Sequence, residues 1–138
     1  MLTALIALVI LIACVKVRWL LDRPTRRESE HAGGLVRLTT LWNKGAAFGL
    51  PIPKGLLPVL SALGLGYLWT RRKEAPIGTG LILGGGLSNL LERLRAGKVF
   101  DYVRFPKAPG RLRWYVYNLA DFSVFLGALF WLLGKRRK

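Results

Sequence analysis

The chain has 138 residues, enough for one domain. Hydrophobic residues make up 52% of it, yet 22 Lys and Arg stand against 7 Asp and Glu, and the mean hydropathy is +0.34. High hydropathy with a net charge of +15 argues against a water-soluble globule and for membrane spans joined by basic loops. A nucleic-acid binder would gather its basic residues on one soluble face; here they lie between apolar runs, which sets that class aside. The single Cys14 excludes an internal disulfide, and with His31 as the lone histidine no metal or cofactor is implied.

In chain order, the first apolar run is Leu2 to Leu21, interrupted late by Lys16 and Arg18. Its Leu11-Ile12-Ala13-Cys14 looks like a lipobox, but nothing charged precedes Lys16, so an ordinary span is expected rather than a cleaved leader. Loop one, Asp22 to Lys54, opens polar, passes Gly33-Gly34 and continues as Leu35 to Trp42, whose β-branched and aromatic content reads as a strand. Asn43-Lys44-Gly45 is a turn signal. Gly55 to Trp69 and Ile77 to Leu91 are two further runs, shorter than the ~20 residues a bilayer asks for. Loop three, Arg95 to Tyr115, mixes aromatic and basic residues and suits a segment lying on the membrane surface. The last run is Val116 to Leu133. The expected fold is an all-α membrane protein. It has four transmembrane helices, a small extracytoplasmic β-sheet after the first, and a surface amphipathic segment between the third and fourth. The dense clusters Arg71-Arg72-Lys73 and Lys135 to Lys138 place loop two and both chain ends in the cytoplasm, although loops one and three are also basic. Trp19, Trp42, Trp69, Trp114 and Trp131 suit interfacial anchors.

Asp121 falls five residues into the last apolar run. A carboxylate there costs at least about 2.5 kcal/mol and is usually functional, although a helix cap at the water interface would also explain it. Three strings put polar residues at the ends of apolar stretches. They are Asn43-Lys44-Gly45-Ala46-Ala47-Phe48-Gly49; Gly84-Gly85-Gly86-Leu87-Ser88-Asn89-Leu90-Leu91-Glu92-Arg93, with Gly97-Lys98-Val99-Phe100-Asp101 after it; and Asn118-Leu119-Ala120-Asp121. Asn89 and Arg93, four apart, share a helix face, as do Asn118 and Asp121, three apart. The glycine run lets another backbone approach closely. Asp101 alone would read as a solvated loop carboxylate among basic residues.

In order and spacing these strings resemble the bacterial lipoprotein signal peptidase (signal peptidase II) family, which shows N-x-G-A-A-F, G-G-A-x-G-N-x-x-D-R, V-V-D and N-x-A-D. The resemblance covers most of the chain. It implies an intramembrane aspartyl protease whose catalytic dyad is Asp101 with Asp121. Asn43, Asn89, Arg93 and Asn118 would line the substrate pocket, and Glu92, Lys16 and Gly45 would support it. Two close carboxylates cannot both ionise readily, so one keeps a proton. The implied substrate is a prolipoprotein whose lipobox cysteine carries a diacylglyceryl group, cut just before that cysteine. The implied setting is the bacterial cytoplasmic membrane, with the site toward the extracytoplasmic face. The expected partners are lipidated signal peptides and membrane lipids, and the expected state is a monomer.

Three positions depart from the pattern. Ser88 replaces Gly, Glu92 replaces Asp, and Ile12 stands where the family has Asp four residues before Lys16. A longer acid at position 92 shifts its carboxylate by about 1 Å, which costs about a hundredfold if that group is catalytic. These departures keep open a non-catalytic relative that binds signal peptide or lipid. A channel or transporter subunit with Asp121 in its path is a further alternative.

Overall fold

The structure is a computed structural model that describes residues 1–46, 50–53 and 55–135. Ala47, Phe48 and Gly49 of the first motif, Lys54, and residues 136–138 of the basic tail lie outside the described residues.

Four helices carry the fold: α1 (Leu2–Leu21), α2 (Leu56–Thr70), α3 (Pro76–Ala96) and α4 (Leu119–Lys135). Between them run β1 (Ser29–His31), β2 (Val36–Asn43), β3 (Val99–Arg104) and β4 (Val116–Tyr117), in one antiparallel sheet of order β1-β2-β3-β4. The sheet joins the end of α1 to the start of α2, and the end of α3 to the start of α4, so it caps one end of the bundle. The other end holds the Arg71–Ala75 turn, where Thr3 Oγ1 donates to the Arg72 carbonyl at 3.5 Å.

Helix α3 is central because its glycines open three faces. A Cβ at Gly78 or Gly85 would meet α4 backbone at 2.6 Å from Trp131 N and 2.5 Å from Ala120 O. One at Gly80 or Gly84 would meet Ile6 or Ile10 of α1 at 2.8 and 2.6 Å, and one at Gly86 would strike Leu65 of α2. Small residues allow backbones this close, and dispersion then acts over the whole contact. The expected close packing at Gly84-Gly85-Gly86 is therefore observed, on three sides rather than one. The helix stops at Gly97, whose φ of +66° and N–H to the Arg93 carbonyl (2.9 Å) make a left-handed cap.

Large apolar side chains point outward. Leu5, Leu63 and Phe125 are 60%, 66% and 75% exposed, and α2 buries none of its residues. Among the described residues only Leu2–Leu21 has both the length and the hydropathy of a membrane span; α2 and Leu119–Gly134 are apolar but shorter.

Two sequence expectations change. Loop three does not simply lie on a surface: its Val99–Arg104 is β3, in which Val99, Phe100, Asp101 and Tyr102 are all buried. A strand covered on both faces shows no alternation, so its pattern passes for an interfacial stretch. In the later part of the loop Leu112 and Trp114 are exposed. The last apolar run is also not one helix. Val116–Tyr117 pair with β3, and the helix begins at Leu119, which makes Asp121 its third residue.

Candidate active site

Strand β3 delivers Asp101 to the sheet centre, opposite Leu41 of β2, and leaves it 3% exposed. At the end of β2, Asn43 donates Nδ2 to Asp101 Oδ2 at 3.1 Å. Its own Oδ1 accepts the Gly45 N–H at 2.8 Å, which fixes the amide's orientation.

Asp121 is set by the start of α4. Asn118 Oδ1 accepts the Asp121 N–H at 2.9 Å, and Asp121 Oδ2 accepts the Asn118 N–H at 3.0 Å. This is a reciprocal capping box with Asp in the third position. The cap is thus Asn118, and Asp121 keeps its second oxygen, Oδ1, which accepts from Asn89 Nδ2 at 3.1 Å.

Asn118 joins the two carboxylates. Its Nδ2 donates to Asp101 Oδ1 at 2.8 Å and to Asn89 Oδ1 at 3.1 Å, while its backbone holds Asp121. A closed ring of Asn118, Asn89 and Asp121 results, with Asp101 held to it at Asn118. Each amide is oriented by its own second bond, so the carboxylates are held by preset donors. Arg93, one turn after Asn89, donates at 3.4 Å to the carbonyls of Asn89 and Gly45. It lies near enough to Asp101 and Asp121 to act on both by charge. The Asp101 carboxyl is pushed up to about 7, first by burial and then by the negative charge of Asp121. The Asn43 and Asn118 amides and the Arg93 guanidinium oppose that shift. Near neutral pH the pair therefore retains a proton, which belongs to both carboxylates jointly. Among the described residues no three His, Cys, Asp or Glu side chains converge into a metal-binding group.

The supporting residues separate. Gly45 stands in the ring's outer edge through both its N–H and its carbonyl. Glu92 forms no ion pair with Arg93 among the described residues; its Oε2 accepts the Phe100 N–H at 2.9 Å, one residue before Asp101. Lys16 is exposed on α1, and no hydrogen bond or ion pair ties it to the ring among the described residues. The α1 cation that reaches the sheet is Arg18, 5.7 Å over the Trp42 ring, with Lys98 at 4.6 Å on the same ring. Ser88 is buried and, with Cys14, Glu92 and Tyr102, lines a small cavity behind the ring, while Ile12 is 47% exposed on α1.

Sequence reasoning missed Tyr102. Its hydroxyl accepts the Leu119 N–H at 2.8 Å and so ties β3 to the first turn of α4. Burial pushes that hydroxyl up to about 12, so it stays neutral. The available signal was weak: a buried tyrosine needs a partner for its oxygen, but the sequence does not say which.

Comparison with known proteins places the chain in one family. The family model described as signal peptidase (SPase) II matches residues 4–135. The lipoprotein signal peptidase of Halothermothrix orenii is 42% identical over 103 residues, covering 70% of this chain and 67% of that protein. That of Syntrophomonas wolfei subsp. wolfei is 36% identical over 146 residues, covering 95% and 93%. The match to the Methylobacterium radiotolerans enzyme, at 39% identity, spans 57% of its length. A solved bacterial membrane enzyme superposes with a TM-score of 0.79 at 19% identity, covering 95% of this chain and 90% of that one, and so shares the fold. Matched along nearly its whole length, the chain belongs to the signal peptidase II family.

Proposed function

We propose that the chain is an intramembrane aspartyl endopeptidase that removes signal peptides from diacylglyceryl-modified prolipoproteins, cutting before the lipidated cysteine. The observation that carries this reading is the Asn118 bridge, which bonds Asp101 and Asp121 at once. The pair holds one proton between two carboxylates. The ionised carboxylate takes a proton from water as the water attacks the scissile carbonyl. The protonated one donates to the carbonyl oxygen as it becomes a hydroxyl. Collapse of that tetrahedral intermediate returns a proton through the dyad to the departing amide nitrogen. Arg93 offsets the remaining negative charge, and the side-chain amide of Asn89 or the backbone of Gly45 offers a peptide a place to align.

The four helices are read as four spans, with the sheet at the extracytoplasmic rim of the bacterial cytoplasmic membrane. Outward Leu and Phe around a core of Gly, Ala, Ser and Thr support this, because a soluble bundle has the opposite arrangement. At 15 and 17 residues, α2 and α4 are about 22 and 26 Å long, against about 30 Å of hydrocarbon, so flanking side chains or local thinning make up the difference. The substrate's lipid would hold the cysteine at the depth of the dyad. Both carboxylates and their polar partners come from one chain, which supports a monomer. The relative without catalysis loses ground because Ser88 and Glu92 point to the cavity behind the ring and not to the carboxylates.

Incubating the purified protein with a prolipoprotein bearing the diacylglyceryl group, and with the same polypeptide unmodified, tests the reading by mass spectrometry. Cleavage of the lipidated form alone, just before the cysteine, is expected. No cleavage of either, or a cut elsewhere, contradicts it.

A further inference from the structure

An apolar groove of about 500 Å3 lies between α1, α2 and α3, and none of its lining residues takes part in the dyad's hydrogen bonds. Leu8 and Leu11 form one wall, Ala62 and Gly66 the other, and Leu83 and Leu87 the floor. From Ala4 to Leu11 it runs along roughly 10 Å of helix. Trp69 closes the end away from the sheet.

That end is cationic. Arg72 stacks 4.4 Å from the Trp69 ring centre and donates to the Trp69 carbonyl at 2.8 Å, which fixes its guanidinium at the groove mouth. Lys73 is next in the chain and exposed. The nearby acid, Glu74, pairs with Arg71 at 2.6 Å. Arg72 and Lys73 have no carboxylate partner among the described residues. Beyond the groove, α2 rests on the bundle with none of its residues buried, so protein alone does not cover it.

We propose that this groove holds an acyl chain of an anionic glycerophospholipid, whose phosphate is bound by Arg72 and Lys73. The apolar lining suits part of an acyl chain, and the charge at one end fits an acid head group rather than a zwitterionic one. The inference rests on the reading of the chain as membrane-spanning, with loop two on the cytoplasmic side, and concerns a site separate from the peptidase dyad.

Native mass spectrometry of the full chain in a non-ionic detergent, titrated with dioleoylphosphatidylglycerol or dioleoylphosphatidylcholine, tests it. One phosphatidylglycerol per chain is expected, with weaker phosphatidylcholine retention. Arg72→Gln and Lys73→Gln should each weaken phosphatidylglycerol about fivefold. Gly66→Leu should abolish it: a Cβ there meets open space, and leucine favours the helix, so the variant folds while filling the trough. Equal retention of both lipids, or full retention by Gly66→Leu, overturns the site. Flotation with phosphatidylcholine liposomes tests the membrane reading separately, and a chain that does not float overturns both. A parent that selects phosphatidylglycerol but cleaves no prolipoprotein would sink the peptidase reading and leave the lipid site standing.

Discussion

The last two turns of α3 present two polar faces with different tasks. Asn89 and Arg93 face the carboxylates: one donates to Asp121, and the other sets its charge beside both acids. Ser88 and Glu92, one position earlier in each turn, face away, toward Cys14, Tyr102 and the Phe100 N–H. On the proposed reading the first face serves the chemistry, while the second holds β3 against α3 through the Glu92 bond to the Phe100 N–H. Two of the three departures from the family pattern lie on the bracing face. A brace tolerates an extra methylene if its oxygen still reaches the same N–H, whereas a reacting group does not. That contrast explains how Glu92 can differ while the dyad stays whole.

The contrast breaks first at the acids. Asp101→Asn and Asp121→Asn each remove a carboxylate and leave an amide of the same size. Each variant should lose about a thousandfold or more in kcat while retaining the parent's thermal stability within a few degrees, measured by peptide cleavage and by unfolding in detergent. Asn118→Ala comes next, since it deletes the bridge and the helix cap together. It should cost about a hundredfold in kcat and about 1 kcal/mol in stability. On the bracing face the effects shrink. Glu92→Gln keeps an oxygen for the Phe100 N–H and should alter kcat by no more than about threefold, whereas Glu92→Ala strands that N–H and should cost about 1–3 kcal/mol of stability. A large kcat loss in Glu92→Gln with unchanged stability would move Glu92 to the reacting face. Tyr102→Phe removes the oxygen that accepts the Leu119 N–H. It should lower stability by about 1 kcal/mol and kcat a few-fold with KM unchanged, because its effect reaches substrate only through the start of α4.

How much of this was legible depends on what each segment buries. The apolar runs mark all four helices, and the turn at Asn43–Gly45 ends β2 as the sequence suggests. Leu35 to Trp42 was close to the observed Val36–Asn43 because its β-branched and aromatic residues run up to a clear turn signal at Asn43-Lys44-Gly45. Strand β3 was not legible, since both its faces are covered. Val116–Tyr117 merged with the helix because two apolar strand residues look like two more helical ones. Asp121 was legible as an anomaly, and its partner Asp101 became legible only through the order of the motifs. No local pattern links Asn118 to Asp101 across 17 residues, and none links the Tyr102 hydroxyl to the α4 backbone.

A separate effect is on stability against pH. The Asp101 carboxyl is raised in the folded chain, so folding favours its protonated form. Its contribution is fully present below about pH 4, the ordinary carboxylate range, and is lost as pH rises through about 7. The Tm of Asp101→Asn should therefore gain on that of the parent between pH 4 and 8, and parallel curves would show that the carboxyl is not destabilised by burial.

The shared proton is tested most directly by kcat/KM for a lipidated prolipoprotein peptide from pH 4 to pH 9. A bell is expected, with an alkaline limb near 7, where the pair gives up its last proton and loses its acid. A profile that stays flat or rises from pH 6 to pH 9 would mean that no carboxyl proton is needed, and would contradict a working Asp101–Asp121 dyad.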